Sequence, residues 1–316
     1  MNLYRENVSK ILKQINRVVI GKEEIISKVF IAMLAKGHIL LEDVPGVGKT
    51  TLAVAFSKTL ELEQNRIQFT PDVLPSDVVG YTMISKEDYS EIYKPGAIMC
   101  NLLLADEINR TSSKTQSALL EVMEEGKVTV DKVTRSVPNP FIVIATQNPK
   151  GAVGTQLLPD SQLDRFMVRL HMGYPDQRSE VDMLKRRSNR NPLNEISMVI
   201  SKNQLLNMQQ EVEEVYLHDA LYDYIVWLIQ RTRDNPYIDQ GVSPRGTLAL
   251  MNMSKAVAYC YNRDYVIPDD IKYIFKDVIN HRIIMSGQAK LKGVTKESVV
   301  DDILRKTSTP KIVVAR

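Results

Sequence analysis

The heptapeptide Val44-Pro45-Gly46-Val47-Gly48-Lys49-Thr50 follows the apolar run His38-Ile39-Leu40-Leu41 and precedes Thr51-Leu52-Ala53. An apolar strand, a glycine-rich turn and a helix opening make a phosphate cradle. Glycines let backbone N–H groups face a phosphate with no Cβ in the way. The helix N-terminus adds partial positive charge there. Pro45, Gly46, Val47, Gly48 and Thr51 would surround the phosphates, Lys49 would reach the β- and γ-phosphates of a nucleoside triphosphate, and the Thr50 hydroxyl would bind Mg²⁺. The general pattern, G-x-x-x-x-G-K-[ST], asks for glycine at position 43, where this chain has Asp43.

A phosphate loop binds without hydrolysing. Hydrolysis also needs metal ligation and a group that orients the attacking water. Leu102-Leu103-Leu104-Ala105 is the pattern of a central parallel strand, and Asp106-Glu107 follows it directly. Ligands of open α/β sheets bind at the carboxyl ends of the strands. Asp106 would hold Mg²⁺, mostly through water, and Glu107 would accept a proton from the attacking water or orient it. An acidic helix cap alone does not account for two consecutive carboxylates after an apolar strand. The next strand ends Ile144-Ala145-Thr146-Gln147-Asn148-Pro149. The Asn148 amide could hydrogen-bond the γ-phosphate or the water, although Asn148-Pro149 alone is a common turn. Arg165, in Leu163-Asp164-Arg165-Phe166, and Arg245, in Pro244-Arg245-Gly246, could spread transition-state charge. Either arginine without context reads as a surface ion pair.

These residues need a scaffold that brings strand ends together. Helical spacing is expected over 4–16, 23–36 and 49–60, with strands at 38–41, 67–70, 101–105, 141–146 and 168–170. Two hairpins interrupt this alternation: Tyr81–Ile84 with Glu91–Lys94, and Val128–Val130 with Thr134–Val137, the latter turning at Asp131-Lys132. Strand and helix alternate through residues 37–172, which is the signature of an α/β fold with a parallel sheet. After Pro175 the texture becomes helical, over about 177–188, 202–215, 217–233, 244–261 and 268–280. The expected division is an α/β nucleotide-binding core with an N-terminal helix (1–174), an all-α domain (175–305) and a tail (306–316).

At 316 residues, two domains are expected. Apolar residues make up 44% and charged residues 25%, ordinary for a soluble globular protein. A net charge of +3 is too weak to imply nucleic acid or a membrane surface. Cys100 and Cys260 lack C-x-x-C spacing and read as small buried hydrophobes. No run approaches a membrane span, and the opening MNLYRENVSKILKQINR lacks the apolar core of a signal peptide, so a cytoplasmic, reducing setting is expected.

Seven blocks, in order, resemble the MoxR group of AAA+ ATPases. They are residues 40–50, 70–80, Ala105-Asp106-Glu107-Ile108-Asn109-Arg110, 114–121, Ala145-Thr146-Gln147-Asn148-Pro149, 158–166 and Ser243-Pro244-Arg245. The resemblance covers about residues 17–305. It implies an AAA+ P-loop core with hairpin inserts, followed by an all-α lid, assembled as a homo-oligomeric ring, with a hexamer expected. By the same resemblance Lys49 and Thr50 match Walker A, Asp106 and Glu107 match Walker B, and Asn148 matches sensor 1. Arg165 is similar to the arginine finger that completes a neighbour's site, and Arg245 to sensor 2. Val19, Ile20 and Gly21 match the segment that packs on adenine. The two hairpins are similar to the helix-2 insert and the pre-sensor-1 hairpin, which would face the ring's pore or top surface. Asp43 and Asp160 are conservative departures; Lys150-Gly151-Ala152-Val153 is less acidic than the family's usual segment, which bears on partner contacts and not on the ATPase site.

The function implied is an ATP-driven, chaperone-like remodeller acting in maturation, activation or cofactor insertion of client complexes. Its partner would carry a von Willebrand factor A domain. Mg·ATP would lie between the core and lid of one subunit, with Arg165 of the next subunit sensing the γ-phosphate. Two alternatives stand beside it. A nucleic-acid-directed ring motor would want basic or aromatic hairpins, and the hairpin charges here balance: Lys86 and Lys94 against Glu87, Asp88 and Glu91, and Lys132 and Arg135 against Asp131. A nucleotide-gated scaffold with little turnover is disfavoured by the intact Glu107 and Arg165.

Overall fold

The computed structural model describes residues 5–42, 46–148, 158–187 and 192–311. Helix α1 (Glu6–Asn16) buries Val8, Ile11, Leu12 and Ile15, one stripe at helical spacing. Helix α2 (Glu23–Leu34) opens with Glu23 and Glu24 against its positive end and is buried over most of its length. The core then runs β1 (Ile39–Glu42), α3 (Lys49–Thr59), β2 (Gln64–Gln68), α4 (Pro75–Val79), β3 (Tyr81–Ile84) and β4 (Glu91–Lys94). It continues through β5 (Leu102–Asp106), α5 (Ser113–Glu125), β6 (Lys127–Val130), β7 (Val133–Ser136), β8 (Ile142–Gln147), α6 (Asp160–Leu163) and β9 (Val168–Leu170).

Five strands form one parallel sheet in the order β2-β5-β8-β1-β9. Strands β5 and β8 are buried at every residue, which is why they read as unbroken apolar runs. Alternate side chains feed opposite faces. Leu102, Leu104, Ile142, Ile144, Ile39 and Leu41 join the apolar cluster under α1, α2 and α3. Leu103, Ala105, Val143, Ala145 and Leu40 join a second cluster with Phe69, Leu119 and Phe166.

The edge strand β2 differs from expectation. It spans Gln64–Gln68, not 67–70, and has no apolar run because, among the described residues, it pairs with β5 alone and leaves much of its length half-exposed. The hairpin β3–β4 pairs Tyr81 with Lys94 and Ile84 with Glu91. Hairpin β6–β7 turns through Asp131 and Lys132, both in the left-handed region at φ 49° and 66°, the two-residue geometry that matches strand twist.

The helical part comprises α7 (Gln177–Arg187), α8 (Lys202–Glu214), α9 (Asp219–Arg233), α10 (Pro244–Cys260), α11 (Pro268–Ile279), α12 (Gly287–Leu291) and α13 (Lys296–Lys306), with a small antiparallel ribbon of β10 (Ile238–Gln240) and β11 (Ile284–Met285). Ser201 and Gln204 cap α8 reciprocally, and Ser243 with Pro244 starts α10. Leu205, Leu250 and Phe275 of this part share a continuous cluster with Ile11, Phe30 and Phe56. The helical part therefore packs on the α1–α3 side. No described helix is long and apolar enough to cross a membrane.

His38, just before β1, is buried. Its Nδ1 accepts the Val143 amide at 3.0 Å, so Nε2 carries the proton and donates to Met123 O at 2.9 Å. Burial pulls its pKa down to about 4, against which the Met123 contact works. A depressed histidine adds stability that is fully present above the unfolded value and is lost as pH falls through the window from about 6.5 to 4. From this residue alone, denaturant unfolding at pH 5 should show about 2 kcal/mol less stability than at pH 7. The pH dependence should be shallower in His38→Gln; an unchanged slope would count against His38 as its source.

Candidate active site

The chemistry-bearing residues gather at the carboxyl edge of the sheet. Strand β1 ends at Glu42 and α3 begins at Lys49, with Gly46 and Gly48 at φ 88° and 98° between them. A Cβ at either glycine would meet nothing within 4 Å, so open space lies beside the backbone that a phosphate would approach. Pro45 and Asp43 lie outside the described residues. Gly46, Gly48, Lys49, Thr50 and Thr51 line a cavity of about 350 Å³ together with Arg66, Gln68, Asp106 and Glu107. That volume is in the range of small-ligand sites. Val47 packs against the α1–α3 cluster.

Two consecutive residues of a continuing strand point to opposite faces. Asp106 and Glu107 share one cavity because the chain turns sharply after β5: Glu107 sits at φ 56°, ψ 47°. A non-glycine residue in that region carries strain, which the surroundings hold in place. The Glu107 amide donates to Thr146 Oγ1 at 2.8 Å, and that hydroxyl donates to Asp106 Oδ1 at 2.6 Å. Asn148 Nδ2 donates to Glu107 Oε1 at 3.1 Å. Arg110 and Gln68 donate to the other oxygen, at 2.7 and 3.0 Å. Arg66 pairs with Asp106 Oδ2 at 2.8 Å. Burial pushes the Glu107 carboxyl up, but the hydrogen bonds from Arg110 and Asn148 and the Arg110 charge outweigh it and hold the pKa below the usual value. Glu107 is therefore ionised at neutral pH.

Hard oxygen donors suit Mg²⁺, which takes one or two protein ligands and completes its shell with water and phosphate. The Thr50 hydroxyl and the Asp106 carboxylate line the same cavity and fit that need.

Arg66, Gln68 and Thr146 were not singled out by the sequence reading. The signal was there in principle: Arg66 and Gln68 are two apart on β2, and Gln68 stands opposite Asp106 in the register. Misplacing β2 hid it.

Val19 is buried, whereas Ile20 and Gly21 are partly exposed. Helix α7 reaches this bend. A Cβ on Gly21 would lie 2.3 Å from Ser179 Oγ, and Lys22 donates to Tyr174 O at 2.8 Å.

Arg165 and Arg245 stand elsewhere. Arg165 donates to Leu120 O at 2.7 Å and pairs with Glu124 at 3.1 Å. Arg245 pairs with the other oxygen of Glu124. Both arginines sit at the amino edge of the sheet. The markers are His38, which precedes β1 and contacts Met123 next to Glu124, and the Met167 amide, which donates to His38 O at 2.8 Å. The phosphate loop leaves β1 at its other end. Four residues of strand separate the two edges, about 13 Å at the usual rise. The helical part thus meets the Val19-Ile20-Gly21 bend through α7, while α10 carries Arg245 to the opposite edge of the sheet beside Arg165.

Comparison with known proteins finds relatives over nearly the whole chain. Residues 38–168 match the model of the ATPase family associated with various cellular activities (AAA), and residues 230–303 match an AAA lid domain. The chain is 47% identical over 303 residues to YeaC, an uncharacterised protein of Bacillus subtilis, covering 96% of this chain and 95% of that one. It is 35% identical over 309 residues to Chaperone MoxR1 of Mycobacterium tuberculosis, covering 95% and 81%. The crystal structure of an ATPase candidate from Cytophaga hutchinsonii superposes with a TM-score of 0.90 at 39% identity, covering 98% of this chain and 96% of that one. The parallel five-stranded core, the helical lid and these relatives together show that the chain belongs to the MoxR family of AAA+ ATPases.

Proposed function

We propose that the chain hydrolyses ATP with Mg²⁺ at sites completed between neighbouring subunits of a ring, a hexamer, and uses the turnover to remodel client proteins. The observation that carries this reading is the split placement of the machinery. Glu107, Asn148, Lys49 and Thr50 stand at one edge of the sheet, Arg165 and Arg245 at the other. A head-to-tail contact between copies brings one edge against the other, and such contacts close into a ring when the rotation between copies divides a full turn.

The residues take the following roles. Gly46, Gly48 and Thr51, with Pro45 and Val47, present the loop backbone to the phosphates, and Lys49 neutralises the β- and γ-oxygens. Val19, Ile20 and Gly21 border the adenine. Thr50 and Asp106 would hold Mg²⁺, which would spread the charge of the transferring phosphoryl group. Arg66, which pairs with Asp106 at 2.8 Å, would have to release that carboxylate to a cation. Ionised Glu107, oriented by Asn148, accepts the proton of the attacking water. Arg165 and Arg245 meet the γ-phosphate of the neighbouring subunit.

Client handling is supported by the hairpins. Arg135 of β7 stacks 4.0 Å from the Tyr93 ring of β4, so its charge is engaged and the two hairpins form one unit. Tyr81, Ile84 and Tyr89 are exposed on that unit, Tyr89 by 82%. Exposed aliphatic and aromatic side chains suit a protein surface. The printed name of the mycobacterial relative, a chaperone, agrees. A von Willebrand factor A domain partner, maturation or cofactor insertion as the task, and a cytoplasmic setting complete the proposal.

The test is nucleotide binding and phosphate release. Wild type should bind and hydrolyse Mg·ATP, whereas Lys49→Ala should lose nucleotide binding. Phosphate release that survives Lys49→Ala, or strong stimulation of the wild type by DNA, would contradict the reading.

A further inference from the structure

Arg282 follows α11 and its side chain is only 2% exposed. Its Nε donates to Asp164 Oδ1 at 2.8 Å. One terminal nitrogen reaches Asp164 O at 3.1 Å and Phe166 O at 2.7 Å; the other reaches Met167 O at 3.1 Å and Val278 O. Every carbonyl but the last belongs to the segment that carries Arg165. The remaining oxygen of Asp164 accepts the Ser243 hydroxyl at 2.8 Å. Ser243 is the N-cap of α10, and its oxygen accepts the Gly246 amide at 3.2 Å. Arg245 lies between those two residues.

Asp164, the residue before Arg165, thus joins the buried guanidinium to the cap that holds Arg245. Glycine is costly inside a helix and is kept where another chain must pass close. At Gly246 a Cβ would lie 2.7 Å from Arg282 Cδ and 2.4 Å from Val242 Cγ1. Position 246 is therefore cut to fit the Arg282 stem. Burial draws the Arg282 pKa down to about 10 against the pull of Asp164, so the charge persists at neutral pH. The arginine fork matters here: an ammonium group could not bridge a carboxylate and several carbonyls in one plane.

We propose that Arg282 is a positioning residue that locks the lid's Arg245 to the core's Arg165, so that both reach a neighbouring subunit's γ-phosphate as one rigid pair. The proposal rests on the reading of that pair as acting across the interface. Glu124 holds the two tips, while Arg282 and Asp164 hold the two backbones. Without Arg282, Arg165 and Arg245 drift apart. The subunit's own phosphate loop lies at the far edge of the sheet and is untouched.

The experiment measures kcat, ATP KM and thermal unfolding for Arg282→Gln, Arg165→Ala and the double variant. Arg282→Gln should lower kcat about 10²-fold, the size of effect that follows from an ångström-scale misplacement. ATP KM should not change. In the Arg165→Ala background the same substitution should cost nothing further, because groups acting as a unit are not additive. Mixing folded Arg282→Gln subunits with Glu107→Gln subunits should restore turnover. Equal losses from Arg282→Gln in both backgrounds would mark a merely structural role and overturn the proposal. So would a folded Arg282→Gln protein with wild-type kcat, or no recovery on mixing. Wild-type kcat in Arg165→Ala would instead remove the reading beneath it, so the two failures are distinguishable. If Arg282→Gln does not fold, Gly246→Ala, which crowds the stem and keeps the charge, is judged by the same criteria.

Discussion

Glu107→Gln is expected to bind ATP as wild type does and to lose turnover by a factor of about 10²–10⁴, the usual contribution of a positioned general base. The amide keeps the size of the carboxylate and one acceptor oxygen. Asn148, which donates at 3.1 Å, therefore keeps a partner, and the backbone turn at Glu107 keeps its Thr146 hydrogen bond. What disappears is the site that takes the proton. Lys49, Thr50 and the glycine backbone are unaffected, so equilibrium binding of labelled ATP and single-turnover hydrolysis separate the two functions. Normal hydrolysis by Glu107→Gln would remove Glu107 from the catalytic role. The environment makes the effect sharp. Arg110 and Asn148 hold the wild-type carboxylate ionised well into the acidic range, so the loss should be uniform across neutral pH.

Arg165→Ala should cost about 10³–10⁵ in turnover, the range found for arginines that reach a transferring phosphoryl group from a partner. Among the described residues its side chain contacts the Leu120 carbonyl and Glu124, and it is 31% exposed in its ion pair. A pair of that exposure contributes ~0–1 kcal/mol to stability. Arg165→Ala should therefore unfold within a few degrees of wild type while its turnover collapses, a contrast that differential scanning fluorimetry and phosphate release read together. Arg245→Ala should share the pattern, because Glu124 places the two guanidinium groups side by side. A large thermal loss without a matching catalytic one would make Arg165 a structural residue.

Much of this site was legible in the residues. Strands β5 and β8 are buried on both faces, so their sequences are unbroken apolar runs that end on polar chemistry. The phosphate loop carries its own glycines, and the first hairpin was read to the residue because alternation and a polar turn are local signals. Two things were not legible. Strand β2 is an edge strand whose Gln64-Asn65-Arg66 stretch carries no apolar pattern, and with it went Arg66 and Gln68, which touch both carboxylates. The placement of Arg245 was the second. No local pattern says on which edge of a sheet a helix some 80 residues beyond Arg165 will land. That is decided by the apolar cluster joining α8, α10 and α11 to α2, and by the buried Arg282–Asp164 pair. The residue types were readable; their distribution over two edges of the sheet was a property of long-range packing.

One chemical site built from two subunits has a clear signature when two kinds of defective subunit are mixed. Arg165→Ala and Glu107→Gln proteins, each inactive alone, are combined at equal concentration, allowed to exchange, and assayed for phosphate release. Random assortment places an intact phosphate edge against an intact arginine edge in about a quarter of the contacts of a head-to-tail ring. Turnover should therefore return, rising and falling with the mixing ratio and peaking near equality. If both groups served the same subunit's nucleotide, every subunit in the mixture would still be defective. No recovery at any ratio, with exchange of subunits demonstrated, would contradict the intersubunit site.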